Sequence, residues 1–166
     1  MIIGVIYYAF EFRDVANRRY FDQVSENIRK GLLQEAGVAD DPELYTWQRL
    51  RGIFYGLVDG DESLKTKAKL AYFNGLWWTT VADVRALSGM FFLFSLGVAT
   101  TVFVAFGQWR PFLSPAFFAA LYLISFPLSA LLTNRHKRIG SEQIEIIGHK
   151  YRGALQGQLN TIRNGG

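Results

Sequence analysis

From Ala86 to Thr133 the chain carries a single charged side chain, Arg110. A bilayer's hydrocarbon core is about 30 Å thick and takes roughly 20 apolar residues of helix to cross. Residues 86–107 supply 22 such positions and residues 115–133 supply 19. The short stretch between them leaves room only for a tight reversal. The pattern predicts an all-α integral membrane protein built on a two-helix transmembrane hairpin. Three amphipathic cytoplasmic helices precede the hairpin and a basic helix follows it. The corresponding regions are residues 1–80, 81–134 and 135–166.

Charge sets the expected orientation. Mean hydropathy over the whole chain is only +0.10, so the residues outside the hairpin are much more polar than those within it. Residues 1–85 hold 11 Lys/Arg and 12 Asp/Glu, whereas residues 134–166 hold 6 and 2. The net charge of +4 therefore resides in the tail. Near the apolar helices, Lys67, Lys69, Arg85, Arg135, Lys137, Arg138 and Lys150 lie on one side and Arg110 alone on the other. Basic residues are retained on the cytoplasmic side. The expectation is a multi-pass membrane protein with both termini in the cytoplasm and residues 108–114 outside.

Arg85, Arg135, Lys137 and Arg138 are expected at headgroup depth, with the tail binding anionic lipid. Trp77, Trp78 and Trp109 suit the same depth, because an indole is comfortable where apolar and wet regions meet. For Trp77 and Trp78, packing inside a helical core is an equal alternative. Nucleic acid is not expected as a partner, since no known module is present and the aromatics are not interleaved with the basic residues.

The chain has no cysteine. That excludes disulfides, thiol nucleophiles and thiolate metal sites. The first ten residues lack a basic start, and an acidic residue follows them where a secretory signal would have small ones.

Residues 1–11 read as helix or strand, with helix favoured. From Arg13 to Ala36 the spacing of Phe21, Val24, Ile28, Leu32 and Ala36 predicts a helix that Gly37 stops. Asp41 and Pro42 predict the start of a second, with Leu44, Trp47, Leu50, Phe54, Leu57 and Val58 on its apolar face. Residues 59–63 predict a turn in which Asp61 or Ser63 caps a third helix over 64–78. A calcium loop starting at Asp59 fails, because Leu64 and Leu70 occupy the glycine and glutamate positions. Thr80 and Asp83 resemble a capping box that would start the first membrane helix. Ser114 and Pro115 would start the second, and Pro127 should kink it, with Ser125 or Ser129 satisfying the freed carbonyl. A final helix is predicted over 141–162, its apolar positions being Ile144, Ile147, Tyr151, Leu155, Leu159 and Ile162.

No catalytic set is recognisable. His136 and His149 have no partner spacing that points to a triad or a metal. No catalytic residue, metal ligand or cofactor is assigned, and the chain is expected not to be an enzyme. Between Ala86 and Trp109, and again between Pro111 and Asn134, there is no Asp, Glu, Lys, Arg or His, which argues against a pump. Small residues recur every fourth position at Gly97, Thr101 and Ala105, and again at Ser125, Ser129 and Thr133. Such stripes let helices approach closely, either within the hairpin or between chains. Trp47, Gly52, Phe54 and Gly56 make an aromatic, glycine-notched face suited to docking a partner. Gly153 and Gly157 form a similar notch in the tail.

In outline, a two-helix membrane unit joined to cytoplasmic helices resembles the SLATT-type effector domains of bacterial defence systems, although here the longer polar part comes first. Two functions are expected from these features. The first is a non-enzymatic membrane anchor or accessory subunit that docks a partner through its cytoplasmic helices. The second is a homo-oligomeric pore or membrane-perturbing effector, which the small-residue stripes and the hydroxyls Thr100, Thr101, Ser125 and Ser129 favour. Its partners would be membrane lipids together with itself or another membrane-complex subunit.

Overall fold

The structure, a computed structural model, describes residues 12–165. The reading of residues 1–11 lies outside the described residues. Among those described there is no strand, and four helices account for nearly all of them: α1 (Phe12–Ala36), α2 (Trp47–Gly60), α3 (Glu62–Phe106) and α4 (Leu113–Gly165). A single 3-10 turn, Arg110–Phe112, joins α3 to α4. Contacts divide the chain into two units. One holds the residues up to Tyr20 and Leu76–Leu132; the other holds Phe21–Gly75 and Thr133–Gly166.

In the second unit the helical periodicity becomes a core. Val24, Ile28, Leu32, Leu33 and Ala36 of α1 are buried, as are Leu50, Phe54 and Val58 of α2, and Ile144, Ile147, Leu155 and Leu159 of α4. These positions follow the three-and-four spacing of the sequence, which brings one face of each helix inward. Gly37 ends α1 as predicted. Its φ of 68° is the left-handed conformation that other residues resist. Its N–H bonds to the Gln34 carbonyl, and that of Val38 to the Leu33 carbonyl, each at 3.0 Å. Gly107, with φ 66°, ends α3 in the same way.

Helix boundaries differ from the sequence reading in four places. Asp41 does cap, accepting from the N–H groups of Glu43 and Leu44 at 3.0 and 3.1 Å. It caps only one isolated turn, and α2 begins at Trp47. The predicted break at Thr80–Asp83 is absent. α3 runs through it, and Thr80 Oγ1 donates back to the Leu76 carbonyl at 2.9 Å. Asn134–Gly140 is likewise helical, and the interruption of α4 falls at Tyr151, where φ is −127° and ψ 15°. Backbone dihedrals stay helical at Pro127, and Ser125 Oγ donates to the Tyr122 carbonyl at 2.6 Å.

The first unit is an antiparallel helical hairpin. Phe103 meets Phe112 at 5.9 Å between ring centroids, and Phe91 stacks on Phe118 at 5.3 Å. A Cβ on Gly89 would touch the Tyr122 ring at 3.4 Å. Contact positions thus climb along α4 as they descend along α3. Both helices are long and apolar enough to cross a membrane. Yet only 6 % of the most apolar stretch of α3, and 17 % of that of α4, is buried.

Candidate functional site

The most distinctive chemistry in the hairpin gathers around Arg85. Helical spacing puts Ala82, Arg85 and Ser88 on the inner face of α3, and all three are buried. On α4, Ser125 and Ser129 are one turn apart and both 1 % exposed. Arg85 Nε donates to Ser125 Oγ at 3.1 Å, and Nη2 donates to the Ser125 carbonyl at 3.1 Å and to Ser129 Oγ. The guanidinium lies 4.6 Å from the centroid of the Phe126 ring and 5.0 Å from that of Tyr20 on α1. Removing a cation from water costs several kcal/mol or more. Two hydroxyls, a carbonyl and two ring faces offset that cost here, each ring by roughly 0.5–2 kcal/mol.

Beside this cluster opens a cleft of about 890 Å³. Arg19, Tyr20 and Arg85 line it together with Met90, Leu93 and Leu123. Its walls are apolar apart from the two arginines and the tyrosines Tyr20 and Tyr122.

In the second unit two ionic clusters each centre on a buried residue, Asp61 and Arg29. Asp61 Oδ1 caps α3, accepting from the N–H groups of Ser63 and Leu64 at 2.8 and 3.1 Å and from the Ser63 hydroxyl. Oδ2 accepts from Lys150 Nζ and from the Tyr151 hydroxyl, both at 2.9 Å. The Ser63 hydroxyl and the Lys150 ammonium, followed by the Leu64 N–H, hold the Asp61 carboxyl well below the usual carboxylate range. Asp61 in turn raises the pKa of both Lys150 and Tyr151. This anchors α4 at the residue where it bends.

Arg29, 4 % exposed, forks between Glu26 and Asp40, at 2.7 Å and 2.6 Å for the shortest contacts. Its hydrogen bonds lower the pKa of both carboxyls. Arg29 thereby ties the segment after Gly37 to α1. His136 is largely buried, which pushes its pKa down, and Asn74 Nδ2 lies 3.3 Å from its Nδ1.

The residues singled out in the sequence scatter across these features. Ser125 and Ser129 meet Arg85, and Thr133 is also buried. Gly97, Thr101 and Ala105 face outward, and a Cβ on Gly97 would find nothing within 4 Å. The fully buried small residue of that part of α3 is Ala99. The two stripes therefore do not meet. Trp77 and Trp109 are exposed, whereas Trp78 is buried as core. Arg135 is exposed. Arg138 is also exposed and lies 3.9 Å from Glu142. Lys137 donates to Gln23 at 3.1 Å.

Phe54 belongs to the core, leaving Gly52, Gly56 and part of Trp47 on the surface. Gly52, Gly56, Gly153 and Gly157 approach no other element. Close approach occurs instead at Gly31, where a Cβ would come within 2.5 Å of Ile144. Arg85 and the Ser125/Ser129 stripe were each legible in the sequence, but their meeting was not.

The chain matches no protein-family model, no curated protein and no solved structure.

Proposed function

We propose that this chain is a membrane anchor or accessory subunit: its apolar hairpin inserts in a bilayer and its second helical unit docks a partner, without catalysis. The supporting observation is the exposure of the hairpin. Helices this apolar in the core of a soluble protein would be mostly buried, yet 6 % and 17 % of their most apolar stretches are. An exposed apolar surface of that extent needs lipid or another chain over it. In this reading both termini lie in the cytoplasm and the 108–114 turn outside, following the excess of Lys/Arg on one side. The surface presented by Gly52, Tyr55 and Gly56 is where the partner docks. The test is extraction of membranes at alkaline pH. The chain should stay with the membrane pellet, and release into the supernatant would overturn the reading.

A homo-oligomeric pore is the second reading. It draws on the outward stripe of Gly97, Thr101 and Ala105, of which Gly97 and Thr101 border a shallow groove of about 480 Å³. The mass of the detergent complex separates the two. A ring of identical chains favours the pore, and a monomer or a defined hetero-complex favours the anchor.

A further inference from the structure

We propose that the cleft between the start of α1 and the hairpin binds one anionic phospholipid, its phosphate at Arg19 and Arg85 and an acyl chain along the hairpin wall. This rests on the membrane reading above. The cleft combines two cations with largely apolar walls. Two cations line it, Arg19 and Arg85, the latter against the rings of Tyr20 and Phe126. From there the walls are Gly89, Met90 and Leu93 on α3, and Ala119 and Leu123 on α4. Arg85 to Leu93 spans about 12 Å at 1.5 Å per residue. The cleft is therefore an amphiphile's shape in negative: a cationic mouth with an apolar trough behind it.

Size and depth agree with such an occupant. A volume of about 890 Å³ falls within the range of small-molecule pockets, roughly 300–1,000 Å³. It takes a glycerol phosphate and much of one chain, and leaves the second chain in the surrounding lipid. Arg85 lies beside Phe126, well inside the apolar run of α4 that ends at Thr133. A cation held at that depth favours an anion that arrives with its own hydrocarbon, and a free ion does not. The exposed guanidinium of Arg19 can fork onto a phosphate's oxygens, which an ammonium cannot. Serines 125 and 129 and the two rings hold the Arg85 charge in place before any lipid arrives, which lowers the ordering cost of binding.

Native mass spectrometry of the full chain, released from micelles containing equal phosphatidylglycerol and phosphatidylcholine, tests the proposal. The wild type should retain one phosphatidylglycerol per chain, in at least about tenfold preference over phosphatidylcholine. Arg19→Gln, at an exposed position, and Ala119→Trp, which fills the trough and keeps both cations, should each abolish the preference while helical content stays unchanged. Arg135→Gln with Arg138→Gln should leave it intact. Equal retention of the two lipids, retention by Ala119→Trp equal to wild type, or displacement by millimolar inorganic phosphate would each overturn it. Alkaline extraction of the same membranes keeps the two readings apart. A chain that stays in the pellet but retains no anionic lipid refutes the site alone. One that is extracted yet still retains phosphatidylglycerol refutes the membrane reading and sustains the site.

Discussion

Asp61 performs two tasks with its two oxygens, and each has a pH signature. Its carboxyl is held below the ordinary range by Ser63, Lys150 and the Leu64 N–H. A depressed carboxyl contributes stability above its unfolded pKa of about 3.9, and that contribution is lost as pH falls through the folded value. Lys150, raised by Asp61, contributes below about 10.4 and loses its contribution as pH rises through its folded value. Asp61→Asn should therefore flatten the fall in melting temperature between neutral pH and strong acid. Melts of both proteins across that range check it, and parallel curves would show that Asp61 carries no such linkage.

Arg85 gives a second prediction at this scale. Lysine keeps the charge but cannot fork between Ser125 and Ser129. Arg85→Lys should cost roughly 1–3 kcal/mol in denaturant unfolding, and an unchanged midpoint would contradict the geometry. The sequence suggested Arg85 as a headgroup residue because it borders the apolar run of α3. Hairpin register, fixed by the turn after Gly107, sets it beside Phe126 instead. Periodicity tells which residues share a face, and says nothing about what approaches that face. For that reason Arg85 and the Ser125, Ser129 and Thr133 stripe were each legible, while the contact of Arg85 with the two serines was not.

Among the elements, α1 and the core faces of α2 and α4 follow directly from apolar spacing and from Gly37. The ends of α3 and α4 do not. Thr80 and Asp83 have the composition of a cap, but a cap works only where the chain enters a helix from outside it. Here helical residues already precede Thr80, so its hydroxyl bonds back to Leu76. Residues 134–140 contain no proline, and Gly140 alone does not stop a helix held on both sides. Two glycine substitutions separate backbone demand from packing. Gly37→Ala forces a left-handed backbone on a side chain and should cost about 1–2 kcal/mol. Gly97→Leu meets nothing within 4 Å and should leave the stability of the chain unchanged. If the detergent complex also keeps its mass with Gly97→Leu, the stripe faces lipid and the pore reading loses its support. Loss of stability in Gly97→Leu would mean that the stripe packs inside the chain after all.

For the whole molecule, the basic tail sorts into committed and available cations. Lys137 is half-buried and engaged with Gln23, while Arg135 and Arg138 are exposed, the latter at the 3.9 Å limit of an ion pair with Glu142. Replacing Arg135 and Arg138 with Gln should weaken binding of the protein to anionic vesicles by about 1 kcal/mol each. Lys137→Gln should do less, and salt should weaken binding in the wild type. Cosedimentation measures this, and equal effects at all three positions would contradict the assignment.

The central claim is that the hairpin spans a bilayer and brings both ends of the chain to one side. The chain has no cysteine, so single cysteines report without background. Cysteines at Gln108, Val104 and Gln158 should be probed in sealed, oriented vesicles with a membrane-impermeant maleimide. The account predicts labelling at Gln108 from one side only, at Gln158 from the opposite side only, and at Val104 from neither. Labelling of Gln108 and Gln158 from the same side, or of Val104 without detergent, would contradict it.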